Sequence, residues 1–260
     1  MIKNQNIWVR YGNRNPDAKV RLFCLPYAGA SASIFNKWKN MFSNFVEVQP
    51  IQLPGRENRY KESYNTDVNT IVQNISEGIE PFLDKPLAIF GHSMGALIGY
   101  ELSCELVRMY GKKPIAFFPS GCRCPQLMSD YKPDIHNLPD NEFLEAVKGY
   151  NGIDPEFFNS DEYKEYFIPI LRNDFKTVET YFYKANPLLE CPIRVYCGMN
   201  DGKVVKEQII RWNEYTSADF SYAMFAGDHF FINEFTREIC HDIEKYLINI
   251  SEEANEFSIR

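Results

Sequence analysis

The sequence predicts an α/β fold: a mostly parallel sheet with helices on both faces, interrupted once by a helical insertion. Three observations carry this reading. Short apolar runs alternate with segments of helical spacing across residues 1–121. The alternation fails over 122–187, where helical spacing continues and no strand pattern intervenes. It then resumes over 188–250, and a polar tail, 251–260, follows. Strands that alternate with helices build a parallel sheet covered on both faces. Crossovers in such sheets are right-handed, and ligands sit beyond the C-terminal ends of the strands.

Each element has its own warrant. Val20 to Leu25 is a buried strand that ends at Pro26. Ser33 to Phe45 places Ile34, Phe35, Trp38, Met41 and Phe42 at helical spacing. Val46 to Leu53 is a second strand, closed by Pro54-Gly55. Asp67 to Leu83 carries Val68, Ile71, Val72, Ile75, Ile79 and Leu83 on one helical face. Pro86 to Phe90 is a third strand, Met94 to Tyr110 a helix stopped by Gly111, and Pro114 to Pro119 a fourth strand. Within the insertion, Asn141 to Gly149, Asp161 to Ile170 and Leu171 to Tyr183 read as three helices. Beyond it lie a strand at Cys191 to Cys197, a helix at Lys206 to Tyr215, a strand at Asp219 to Phe225 and a last helix from Phe231 to Ile250. The tail from Ser251 to Arg260 is expected to fray.

Bulk properties narrow the function classes. The chain has 260 residues, enough to bury one sizeable core. Its net charge of −7, with no run of five Lys or Arg, argues against a nucleic-acid surface. No segment approaches the roughly 18 apolar residues of a membrane span, and Met1 to Asn6 holds no apolar core of a signal peptide. A cytoplasmic protein is expected. Seven Cys are scattered without a CxxC pair, so neither a disulfide framework nor a metal site is expected.

One stretch carries chemistry. In LAIFGHSMGAL (87–97), an apolar strand meets Gly91-His92-Ser93-Met94-Gly95, and a helix begins. This fits G-x-S-x-G, a weak pattern alone but a stronger one between a strand and a helix. A nucleophile on so sharp a turn adopts an unfavourable backbone, and side chains two residues before and after it would clash. The helix N-terminus then directs free N–H groups at the site, so the Met94 N–H can meet a developing oxyanion. Read without partners, Ser93 has a lesser alternative as a helix N-cap between two incidental glycines.

A serine nucleophile needs a base, and the base an orienting acid, in the chain order Ser, Asp/Glu, His. Of the four His, His92 adjoins Ser93 but leaves the turn in another direction, and His136 belongs to the insertion. His241 lies in the last helical pattern and reads as a surface residue. His229, just after the last strand, falls on the same sheet edge as Ser93. Asp201 follows the preceding strand and is the preferred acid; Asp228, next to His229 in sequence, is its rival. The loop Pro26 to Ser33 is rich in small residues, and the Ala28 N–H is the candidate for a second oxyanion donor. The same loop also reads as a plain turn capped by Ser31 or Ser33.

Taken together, LFCLPYAGASAS (22–33), QLPGRENR (52–59), GHSMGAL (91–97), LRNDF with ETY (171–181), GMND (198–201) and GDHFFI (227–232) resemble the type II thioesterases, the stand-alone editing enzymes of non-ribosomal peptide and polyketide synthesis. The resemblance runs from about residue 7 to 248. It implies an α/β-hydrolase fold whose helical lid is the insertion at 122–187. It implies hydrolysis of acyl groups from the phosphopantetheine arm of an acyl or peptidyl carrier domain, by a monomer needing no cofactor or metal. Carried over by motif, Ser93 is the nucleophile, Asp201 the acid, His229 the base, and Ala28 and Met94 the oxyanion-hole residues. The chain departs from the family at Ala30, where a second Gly is usual and a methyl could narrow the approach to the oxyanion loop, and at Asn200-Asp201-Gly202, where the acid motif often reads differently. Release of a finished fatty acid or polyketide, and hydrolysis of free esters, are alternatives with the same triad. A relic that only binds is a further one, though such relics usually lose a triad member. Nine aromatics of the insertion, Phe143, Tyr150, Phe157, Phe158, Tyr163, Tyr166, Phe167, Tyr181 and Tyr183, either pack it on the body or line an acyl chamber.

Overall fold

A computed structural model describes residues 7–12, 14–150 and 160–258, without the side chains of 254–258. Phe157, Phe158 and the ends of both termini lie outside the described residues. Six strands form one sheet: β1 (Val20–Leu25), β2 (Val46–Pro50), β3 (Leu87–His92), β4 (Ala116–Ser120), β5 (Ile193–Gly198) and β6 (Phe220–Phe225). Their spatial order is β2-β1-β3-β4-β5-β6, and every pairing is parallel. The order reverses between β1 and β3, which opens a crevice at their C-terminal ends, the usual ligand position in such a sheet.

The sheet is buried on both faces because successive side chains point to opposite sides. In β3, Leu87 and Ile89 join one core cluster, while Ala88 and Phe90 join the other. The first cluster takes the apolar stripes of α1 (Val68–Ile79) and α2 (Met94–Tyr110), together with the fully buried Trp212. The second takes Phe35, Trp38 and the inner face of α8 (Thr236–Ser258), at Ile239, Ile243 and Leu247. Each such side chain contributes about 1.5–3 kcal/mol on leaving water. Asp67 begins α1 by accepting the Thr70 N–H at 2.8 Å.

Between β4 and β5 the chain forms α3 (Pro125–Asp130), α4 (Asp140–Lys148) and α5 (Asp161–Glu179). Among the described residues this stretch adds no strand to the sheet. Phe143, Leu144, Val147 and Leu171 give it a small core of its own. Among the described residues, no helix is long and apolar enough to cross a membrane.

Several boundaries differ from the sequence reading. Residues 33–45 form two short 3-10 turns, Ala32–Phe35 and Trp38–Asn40. Spacing of three suffices to bring Phe35 and Trp38 edge-to-face at 5.0 Å, and the Asn and Ser residues among them favour turns over helix. The two helices expected at 161–183 are one, α5, which runs through Pro169. The proline leaves the Glu165 carbonyl without its intrahelical donor, and burial of Ile170, Leu171 and Asp174 holds the helix through it. The helix at 206–215 is one α-turn, α6 (Lys206–Ile209), continued as 3-10. The last helix divides into α7 (Phe231–Glu234) and α8, and α8 extends to Ser258 instead of fraying after Ile250. No Gly or Pro interrupts 251–258, so nothing stops the helix there.

One charge is buried where the apolar strand pattern gave no hint. Arg21 in β1 donates from Nε and Nη2 to Glu47 in β2, both at 3.1 Å, and each residue is 2% exposed. Removing Arg21 leaves the Glu47 carboxylate only the more distant Lys85 Nζ, at 3.6 Å, as a cation, a cost approaching about 3 kcal/mol. Arg21→Met is therefore expected to lose that much in urea unfolding, and adding Glu47→Leu to recover most of it.

Candidate active site

The crevice between β1 and β3 is lined by the loop after β1 and the turn after β3. Ser93 occupies that turn at φ 53° and ψ −117°. Such a backbone costs of order 1–3 kcal/mol and persists only where its surroundings force it. Here they do. A side chain on Gly91 would collide with the Gly95 carbonyl, and one on Gly95 with the backbone of Leu25 and Pro26. The two glycines therefore let α2 start hard against the ends of β1 and β3. The Ser93 N–H donates to the Ser120 carbonyl at 2.8 Å, which ties the turn to β4. The Ser93 side chain makes no capping bond to its helix, so it is free to point elsewhere.

It points to His229. Ser93 Oγ lies 3.1 Å from His229 Nε2, and His229 Nδ1 lies 2.8 Å from Asp201 Oδ2. An ionised carboxylate only accepts, so Nδ1 carries the proton and Nε2 is left as an acceptor for the Ser93 hydroxyl. The other Asp201 oxygen accepts the N–H groups of Lys203 at 2.8 Å and Val204 at 3.1 Å, which fixes the carboxylate's orientation. The Asp201 side chain is fully buried and that of His229 nearly so. Asp228 lies elsewhere: its Oδ1 accepts the Phe230 N–H at 2.8 Å.

His92 does more than the sequence reading allowed. Its Nε2 donates to the backbone carbonyl of His229 at 3.0 Å, and its Nδ1 accepts the Ser120 hydroxyl at 2.9 Å. It thus cross-links the Ser93 turn, the end of β4 and the loop that carries His229. Burial, helped by the neighbouring His229, pushes its pKa well below the usual histidine value, so it stays neutral. Its only signal in the sequence was a polar ring at the inner end of a buried strand. His136 is bound within the insertion, where Glu179 accepts its Nδ1 at 2.5 Å and the N–H groups of Ile135 and His136 at 3.0 Å. With Asp134 these two form a group of possible ligand atoms, but the Glu179 carboxylate is already occupied by those donors. His241 is exposed on α8.

Ala28 lines the same cavity as Ser93, Met94 and His229. Neither the Ala28 nor the Met94 N–H has an acceptor among the described residues. The next amide, Gly29 N–H, donates at 2.7 Å to Asp174 on α5. Ser31 and Ser33 do not cap a helix; their hydroxyls bond to each other at 2.8 Å, and Ser31 donates to Glu57 at 2.5 Å. Ala30, the departure from the family pattern, is buried with its carbonyl toward Arg56, and its methyl does not line the cavity.

The cavity measures about 100 Å³, and its walls are mainly apolar. Leu171, Phe175 and Val178 of α5 form one side, with Met128 and Val147 beside them. Of the aromatics singled out in the sequence, Tyr150 lines it, its ring edge-on to His229 at 5.9 Å. Phe143 and Tyr181 are packing residues, while Tyr163 and Tyr166 are exposed. Phe175 lines the cavity although the sequence did not single it out.

The family model for the thioesterase domain matches residues 20–247. The chain belongs to the thioesterase family. The gramicidin S biosynthesis protein GrsT of Aneurinibacillus migulanus is 39% identical, over 95% of this chain and 96% of its own length. The thioesterase PikA5 of Streptomyces venezuelae is 33% identical, over 94% and 87%. Among solved structures, the colibactin-pathway protein ClbQ superposes with a TM-score of 0.85 at 27% identity, over 90% of this chain and 99% of its own. The type II thioesterase BorB of the borrelidin cluster gives 0.82 at 28%, over 94% and 98%.

In this thioesterase the depressed His92 pKa has a consequence for stability. The unfolded chain takes up a proton near pH 6.5 that the folded chain refuses. The contribution is complete above that pH and is lost as pH falls from it toward the folded pKa, at up to about 1.4 kcal/mol per unit. Urea unfolding between pH 7 and pH 5 is expected to be less pH-dependent in His92→Gln than in the wild type.

Proposed function

We propose that this thioesterase hydrolyses short acyl groups from the phosphopantetheine arm of carrier domains, through Ser93, His229 and Asp201. The observation that carries the reading is the continuous Ser93–His229–Asp201 hydrogen-bond chain, at 3.1 and 2.8 Å, opening into an apolar cavity. The names of the relatives, proteins of gramicidin S, colibactin and borrelidin synthesis among them, support a carrier-bound substrate. The small cavity supports short chains: an apolar cavity of about 150 Å³ accepts a benzene. This favours editing of stalled carriers over release of long products. The insertion at 122–187 acts as the lid, since α5 forms one wall of the cavity. The enzyme works as a cytoplasmic monomer that meets the carrier as a separate partner.

The steps follow from the geometry. The Ser93 hydroxyl gives its proton to His229 Nε2 as Oγ bonds to the thioester carbonyl carbon. Asp201 stabilises the resulting imidazolium through Nδ1–H. The tetrahedral oxyanion accepts the N–H groups of Ala28 and Met94. The C–S bond breaks, the sulfur takes the proton from His229, and Ser93 holds the acyl group as an ester. Water then gives a proton to His229 and attacks the ester carbon. The C–Oγ bond breaks, Ser93 recovers its proton, and the acid leaves.

Two measurements check this. In a serine protease, losing the nucleophile from such a triad costs ~10⁶ in kcat. Ser93→Ala is expected to lose acyl release to a comparable degree while its melting temperature stays near that of the wild type; undiminished turnover would refute the nucleophile. Mass spectrometry of carrier domains loaded with acetyl, butyryl or decanoyl groups is expected to find the short chains removed at least ~10-fold faster. Preference for decanoyl would instead favour chain release, and faster cleavage of a free p-nitrophenyl ester would favour a carboxylesterase.

A further inference from the structure

We propose that Asp174 on α5 is a positioning residue that assembles the oxyanion hole. The proposal rests on the reading of Ala28 as an oxyanion donor. Two motifs of the sequence, QLPGRENR and LRNDF, supply none of the reacting groups, yet they meet beside the loop that carries Ala28. Asp174 is 4% exposed and accepts three donors. Gly29 N–H and Arg56 Nη1 reach its Oδ2, both at 2.7 Å, and Arg56 Nη2 reaches its Oδ1 at 2.8 Å. Arg56 Nη1 also donates to the Ala30 carbonyl at 2.9 Å. Gln52 completes the frame, accepting the Ala32 N–H at 3.0 Å and donating to the Arg56 carbonyl at 3.2 Å. Gly29, Ala30 and Ala32 are thus each held by a side chain from outside the loop.

Stability alone gives a weak account of this arrangement. A buried ion pair is often no more stabilising than apolar residues of the same shape. What an apolar pair could not do is accept the Gly29 N–H. With that amide engaged by Asp174, the preceding amide, Ala28 N–H, is held beside it without an acceptor among the described residues, on the wall of the cavity that Ser93 shares. Gly29 has φ +80°, and a side chain there would strike Leu171 of α5, so the loop and the helix are in direct contact at this point. The same helix lines the acyl cavity through Leu171, Phe175 and Val178. Seating of α5 over the cavity and fixing of the Ala28 donor are therefore one event. A lid helix displaced from the body leaves Gly29 and Arg56 without their acceptor and the oxyanion hole half-built.

The test uses the full chain, an acetyl-loaded carrier domain and butylboronic acid, whose tetrahedral adduct on Ser93 places an oxygen in the oxyanion hole. Losing one such donor costs ~10²–10³ in kcat. Asp174→Ala is expected to lose about 10²-fold in kcat and in boronate affinity together, with KM nearly unchanged. Asp174→Asn, isosteric and able to fold where Ala does not, is expected to lose about 10-fold in both. Arg172→Ala is the control on the same helix. Arg172 holds Asp140 and the carbonyls of His136 and Leu138 within the lid, so its loss lowers the melting temperature but leaves boronate affinity per folded molecule unchanged. Asp174→Asn with wild-type kcat and boronate affinity overturns the proposal, as does a loss confined to KM or one matched by Arg172→Ala. Failure of the boronate to inhibit the wild type falls on the Ser93 reading itself and takes this inference with it.

Discussion

The site depends on one strained peptide. Ser93 at φ 53° has no intrinsic preference for its conformation, so neighbouring backbone must hold it there. The hold is almost entirely main chain: Gly91 against Gly95, Gly95 against the end of β1, and the Ser93 N–H against Ser120 at the end of β4. Three adjacent strands must therefore be in register before the turn can exist. That register is set by the two apolar cores, far from any polar chemistry. The reactive geometry is thus supported by burial of aliphatic and aromatic side chains on both faces of the sheet.

Around the turn, buried polar ties replace apolar packing. His92 joins the turn to the His229 loop, and Asp174 with Arg56 joins α5 to the loop after β1. Such ties are directional. Apolar contact would hold these loops near one another but would leave their amides and rings free to rotate by the small angles that matter at a reacting carbonyl. A satisfied network of hydrogen bonds in a low dielectric restricts those rotations. The division of labour explains why these polar ties gather at the C-terminal edge of the strands; the buried pair Arg21 and Glu47 lies side by side near the N-terminal ends of β1 and β2.

Much of the architecture was legible because it rests on short-range pattern. Short continuous apolar runs marked β1 and β3, the i, i+3, i+4 stripe marked α1, and Gly111 stopped α2. Where the sequence reading failed, tertiary contact had overridden local preference. The expected break between Ile170 and Leu171 is absent, because burial of both residues carries α5 through it. Phe35 and Trp38 had helical spacing, and packing against Phe90 needed only a pair of 3-10 turns.

By itself the sequence determined the fold class, the family resemblance and the three residues to look for, since strand ends, glycines and the order Ser, Asp, His are all properties of linear position. The tertiary structure alone decided which groups meet. Ser93 and His229 are 136 residues apart, and Gly29 and Asp174 are 145 apart. No periodicity reaches across such separations. The engagement of Asp228 by the Phe230 N–H, the turning inward of His92 and the engagement of Gly29 by Asp174 depend on side-chain directions at the sheet edge. Those directions exist only once the chain has closed into its layers, because a hydrogen bond needs both partners fixed to within a fraction of an ångström.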